Sequence, residues 1–124
     1  MRLLLDTHTL LWWLADDPRV QAEVRDHVAE SEEVFVSTAS AWEISLKKAL
    51  GKLVAPDDLP AQLIRHQFTV LPIHLAHALR YGELPLLHRD PFDRMLVAQA
   101  QVEDLTIVTG DAAIAAYGIS VLPN

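Results

Sequence analysis

Leu3-Leu4-Leu5-Asp6-Thr7-His8-Thr9-Leu10-Leu11-Trp12-Trp13-Leu14 decides the fold class. Three leucines closed by an acid read as a short buried strand. The apolar run after Thr9 reads as a helix over 7–15, with Asp6 at the junction. The alternation then repeats. Val34-Phe35-Val36, residues 69–73, Thr106-Ile107-Val108 and residues 119–122 are four more strand-like runs, and helices are expected over 19–31, 41–50, 57–67, 74–82, 92–103 and 112–117. Strands that alternate with helices predict an α/β fold, a mostly parallel sheet covered on both faces. In such sheets ligands bind beyond the carboxyl ends of the strands, where the strand order switches direction.

The chain has 124 residues, 51% hydrophobic and 22% charged, with no cysteine. That length predicts one domain over 1–124. It buries roughly two-thirds of its unfolded surface and needs no staples. Without cysteine there is no disulfide framework, zinc finger, iron–sulfur site or thiol nucleophile. No apolar run approaches a membrane span, and Met1-Arg2 leads too quickly to Asp6 for a secretory signal, so a cytoplasmic protein is expected. Net charge is −7, but residues 16–33 alone hold seven acids against two arginines. The remainder is close to balanced, so polyanions stay open as partners.

Four acids fall where the geometry gathers them. Asp6 ends the first strand, Glu43 opens the helix after the second, Asp93 opens the helix before the fourth, and Asp111 follows the fourth. Each also has a capping explanation. Ser40-Ala41-Trp42-Glu43 matches a capping box, Asp90-Pro91-Phe92-Asp93 matches an N-cap with proline at N1, and Asp6 and Asp111 each precede a helix. Four acids on one rim exceed what capping requires. Gathered carboxylates suppress one another's ionisation unless a cation joins them, and all-oxygen ligation suits Mg²⁺ or Mn²⁺. Carboxylates, a divalent ion and helix N-termini together suggest metal-assisted phosphodiester hydrolysis.

Other chemistry finds little support. No Gly-x-Ser-x-Gly turn, Walker loop or His-Glu-x-x-His motif is present. Ser37 and Thr109 are candidates for hydrogen bonding to a metal site or for capping. His88 either holds the loop beside the site or is simply loop, and His74 and His77 read as a solvated face. Lys47, Lys48, Lys52, Arg89 and Arg94 form a basic margin for a polynucleotide or solvated surface. Trp42, Leu46, Ala49, Leu50 and Leu53 form one helical stripe, which Gly51 stops. The helix around Trp12 is apolar on every side, which points to an interface. A receiver module would need an acidic pair after the first strand and a lysine after the last; neither is here. A haloacid-dehalogenase-like phosphatase would need Asp-x-Asp where Asp6-Thr7-His8 stands.

Four segments carry a resemblance: Leu3-Leu4-Leu5-Asp6-Thr7-His8-Thr9; Ala41-Trp42-Glu43 through Leu53; Leu84-Pro85-Leu86-Leu87-His88-Arg89-Asp90-Pro91-Phe92-Asp93-Arg94 through Ala100; and Val108-Thr109-Gly110-Asp111. In order and spacing the chain resembles, from end to end, a PIN-domain ribonuclease of the VapC toxin type. The resemblance implies a three-layer sandwich with a five-stranded parallel sheet of order 3-2-1-4-5. It implies a catalytic quartet of Asp6, Glu43, Asp93 and Asp111, with Asp6, Asp93 and Asp111 at a Mg²⁺ or Mn²⁺ ion. It further implies an RNA substrate, a cognate antitoxin and a homodimer, whose interface is expected to include part of the apolar helix around Trp12. A PIN fold that binds RNA or a protein without cleaving is the alternative. Asp90 is extra to the quartet. Gly110 and Ile114 depart from the residues many relatives carry, polar or charged at the first and aromatic at the second.

Overall fold

The computed structural model describes residues 1–124. Five strands form the sheet: β1 (Arg2–Leu5), β2 (Glu33–Ser37), β3 (Thr69–Leu71), β4 (Thr106–Thr109) and β5 (Val121–Pro123). All four pairings are parallel, in the order β3-β2-β1-β4-β5. Seven helices connect them: α1 (Thr7–Leu14), α2 (Ala22–Glu30), α3 (Thr38–Ala49), α4 (Leu59–Arg65), α5 (Leu75–Glu83), α6 (Pro91–Glu103) and α7 (Ala112–Ala115). This is the PIN-like α/β architecture that the resemblance implied. No helix is long and apolar enough to cross a membrane.

Strand pleating divides the core. Leu3 and Leu5 face one side, with Leu10, Val24, Val28, Ile44, Leu63 and Phe68. Leu4 faces the other, with Leu71, Leu96, Val97, Ala100, Ile107 and Ile114. All three leucines are fully buried, because β1 lies at the centre of a sheet covered on both faces. Leu5 registers with Val36 on one flank and Val108 on the other. The next residues, Asp6, Ser37 and Thr109, therefore emerge together where the strand order reverses.

Several local expectations change. The helix of 41–50 begins at Thr38, capped by Ser37, whose Oγ accepts the Ala39 N–H at 2.9 Å. Glu43 therefore lies in the second turn, and no Ser40–Glu43 capping box forms; the Ser40 hydroxyl instead accepts from Thr7 Oγ1 at 3.0 Å. Gly51 ends this helix at φ +69, a left-handed conformation that glycine adopts without strain. The stripe on this helix does not pack inward: Trp42, Leu46 and Leu50 are all exposed. The helix of 19–31 begins only at Ala22, because Asp17 turns back to accept the Arg19 N–H and guanidinium. His77 is fully buried, not solvated. Its Nδ1 accepts the His74 N–H at 2.9 Å, and its Nε2 lies 2.9 Å from Glu103 Oε1, which fastens α5 to α6. Trp12 is half-buried, with His8 stacked on it and Arg19 over its ring.

Candidate active site

Asp6 is buried at the end of β1. Its Oδ1 accepts the Thr9 N–H at 2.8 Å, which caps α1, and its Oδ2 accepts the Thr109 hydroxyl at 2.5 Å. Thr109 Oγ1 in turn accepts the Asp111 N–H at 3.0 Å. One hydroxyl thus joins the tips of β1 and β4. Asp111 caps α7 with Oδ1, on the Ala113 N–H at 2.8 Å, and turns Oδ2 to His88 Nε2 at 2.9 Å. Capping and site duty coexist at both aspartates, because a cap occupies only one carboxylate oxygen.

Asp90 Oδ1 caps α6 by accepting from Phe92 N and Asp93 N. The Asp93 side chain is thereby released toward the rim, where its Oδ2 lies 3.1 Å from His88 Nε2. Glu43 is buried; Oε2 takes the Lys47 ammonium at 2.5 Å, and Oε1 has no partner at all. Burial pushes the Asp93 carboxyl up to about 7. The negative charges of Asp90, Glu43 and Asp6 add to that rise, and His88 opposes it. The Lys47 amine is held above its usual range, first by its bond to Glu43 and then by Asp90 and Asp93. Asp6, Glu43 and Asp93 therefore share one electrostatic environment, and His88 ties Asp111 to it.

The compact donor group is His88, Asp93 and Asp111, whose nearest ligand atoms all lie within 4.8 Å of one another. Asp6, expected in that trio, stands outside it. It shares with Asp111 an open cavity of about 310 Å³, lined also by His8, Trp12, Gly110 and Asn124. At Gly110 a Cβ would meet the Asn124 carbonyl oxygen at 2.6 Å, which accounts for the missing side chain.

The basic margin contracts. Lys47 is paired with Glu43, and Lys48 with Asp57 at 2.6 Å. Arg94 is buried; it donates to the carbonyls of Tyr81, Pro85 and His88 and to the Tyr117 hydroxyl, bracing the loop that carries His88. Lys52 and Arg89 remain exposed and unpaired. The residue that sequence reasoning left undecided is His88. Its position two residues before Asp90 was the available signal.

The sequence matches the PIN domain family over residues 3–119. Among curated proteins none matches significantly. Solved structures match closely in shape and distantly in sequence. VapBC2 from Rickettsia felis, bound to a promoter DNA fragment, gives a TM-score of 0.75 at 15% identity, covering 99% of this chain and 98% of that one. VapBC-1 from nontypeable Haemophilus influenzae gives 0.73 at 16%, with the same coverage. A toxin–antitoxin complex from Klebsiella pneumoniae gives 0.68 at 18%, covering 97% and 95%. The shared fold extends over nearly the whole chain, and the sequence match runs from β1 to the turn before β5; the chain belongs to the PIN-domain family.

Proposed function

We propose that this chain is the toxin of a type II toxin–antitoxin pair, a VapC-type endoribonuclease that hydrolyses RNA phosphodiester bonds with Mg²⁺ or Mn²⁺. The observation that carries this reading is the crowding of acids at one rim: Glu43 is buried with Oε1 unpartnered, and burial with the neighbouring charges of Asp90, Glu43 and Asp6 drives the Asp93 carboxyl up to about 7. A site built of acids that repel one another is suited to a cation. The donors are carboxylate oxygens with one imidazole beside them, which fits a hard divalent ion.

In this reading Asp6, Asp93 and Asp111 hold the ion. When bound, such an ion polarises the phosphodiester and acidifies water. Lys47 fixes Oε2 of Glu43 and leaves the buried Oε1 without a partner, and in this reading Glu43 orients water or completes the shell. Lys52 and Arg89 are the exposed cations available to the RNA backbone. Purified protein incubated with structured RNA tests the reading: cleavage with Mg²⁺ that stops with EDTA and in D6N supports it, and cleavage indifferent to both overturns it.

Two partners follow. An antitoxin is supported by the toxin–antitoxin complex among the structural neighbours. A second copy of this chain is assigned to the exposed stripe Trp42, Leu46 and Leu50. Those side chains carry no charge, and a two-fold dimer buries the same stripe from both copies.

A further inference from the structure

His88 lies in the loop between α5 and α6 and is fixed from three directions. The Tyr117 hydroxyl accepts its N–H at 3.0 Å and that of Leu87 at 3.3 Å. Arg94 Nη1 donates to its carbonyl at 3.4 Å. Its ring Nδ1 accepts the Asp90 N–H at 3.1 Å. A ring nitrogen that accepts carries no hydrogen, so the neutral ring holds its hydrogen on Nε2. That nitrogen is 2.9 Å from Asp111 Oδ2 and 3.1 Å from Asp93 Oδ2. A metal ligand must offer a lone pair, and Nε2 offers a hydrogen instead.

We propose that His88 is a positioning residue of this site: its Nε2–H holds the Asp111 carboxylate beside that of Asp93, and it is not itself a ligand. The inference rests on the reading of Asp93 and Asp111 as ligands of a divalent ion. The backbone N–H of Asp90 selects the tautomer, and Arg94 and Tyr117 hold the loop at the required height. The ligand set therefore stays all-oxygen. Loss of His88 weakens ion binding without changing which ion is preferred.

Two near-isosteres separate donor from loop anchor. Glutamine places an amide N–H near the position of Nε2. Asparagine keeps an acceptor near Nδ1 for the Asp90 N–H but does not reach Asp111. Binding of Mn²⁺ and of Ni²⁺ is measured by titration calorimetry on wild type, H88A, H88N, H88Q and D93N. The Mn²⁺ Kd is expected to rise roughly tenfold in H88A and H88N, as losing a hydrogen bond to a ligand commonly does, and to recover in H88Q. The ratio of Ni²⁺ to Mn²⁺ affinity stays constant across the His88 variants. Wild-type binding by H88N with weak binding by H88Q overturns the proposal, because His88 then acts on the loop alone. A Ni²⁺ preference that disappears with the imidazole also overturns it, because His88 is then a ligand. D93N binding Mn²⁺ as wild type does overturns the metal-site reading itself, and is recognised by its independence of His88.

Discussion

Thr109 donates its hydroxyl hydrogen to Asp6 Oδ2 across 103 residues of sequence, and that bond couples the two strand tips at the switch in strand order. Both residues are buried, so losing one partner leaves a polar group short of a hydrogen bond. Thr109→Val keeps the shape but strips a donor from Asp6 and an acceptor from the Asp111 N–H. It is expected to destabilise the protein by about 1–3 kcal/mol in urea denaturation, with Thr109→Ser close to wild type. Equal stability of wild type and T109V would show that the bond does not organise the site.

Asp6→Asn tests charge separately from shape. The amide oxygen still caps α1 on the Thr9 N–H, so the fold is expected to survive by circular dichroism. RNA cleavage with Mg²⁺ is expected to collapse. In EDTA the D6N and D93N proteins should melt no lower than wild type, because each removes repulsion among the acids. A clear drop in Tm for both would mark the acids as caps above all.

The Asp93 carboxyl gives the site a pH signature. It titrates near 3.8 when unfolded and at about 7 in the fold, so between those values the folded state binds more protons. Stability of the metal-free protein is therefore expected to fall as pH rises from 3.8 to about 7, and to level off above. Protons and divalent ions compete for the same oxygens, so Mg²⁺ should raise Tm more above that range than below it. D93N should flatten both slopes. A wild-type Tm in EDTA that climbs through this interval would remove Asp93 from the account.

The strand–helix alternation and the placement of Asp6, Asp93 and Asp111 are legible in the sequence because they depend on period and on position at element ends, whereas Glu43 lies a turn further into its helix than the sequence suggests. What escaped depends on packing. Ser37 and Ser40 both resemble caps, and only the register of β2 decides that the helix starts at Thr38. Helical spacing puts Trp42, Leu46 and Leu50 on one face without saying whether that face looks inward. From its neighbours in sequence His77 reads as solvated and Arg94 as part of a basic margin. They are buried by partners far along the chain, Glu103 for the first and Tyr117 for the second. The tautomer of His88 follows from a backbone N–H that no pattern of residue types reveals.

The exposed stripe of α3 yields a prediction about assembly. Wild type is expected to sediment as a dimer at tens of micromolar. Leu46→Glu with Leu50→Glu should give a folded monomer whose Tm falls only by the lost stabilisation of the dimer, since both side chains are exposed within one chain. Substituting Trp12 tests the other apolar helix, whose aromatic ring is already flanked by His8 and Arg19. A monomeric wild type would dispose of the dimer; a dimer broken only at Trp12 would move it to α1.

The proposed toxin reading requires a partner that restrains cleavage. A ring of carboxylates is neutralised best by a cation, and arginine offers a rigid fork of donors matched to carboxylate oxygens. The partner segment is expected to lay apolar side chains along α1, where Leu11, Trp12, Trp13 and Leu14 prove half-buried against the core and not exposed, and to bring an arginine or lysine to Asp6, Glu43, Asp93 and Asp111. A cavity of about 200 Å³ beside Trp13, lined by Val28 and Phe68 and by the polar Ser31, Glu32, His66 and Gln67, offers a pocket of mixed polarity next to that helix. The acidic stretch supplies the approach. Arg19 and Arg25 pair with Asp17 and Asp16, whereas Asp26, Glu30 and Glu32 remain exposed and unpaired, a field that draws in a basic peptide and turns RNA away from that face. The experiment is co-expression with the adjacent gene, purification of the complex and titration with Mg²⁺ in an RNA-cleavage assay. Neutralising the basic residues of the bound segment should release cleavage while the complex still forms through its apolar contacts. Inhibition that survives removal of every one of those charges would show that the partner blocks the site by bulk alone.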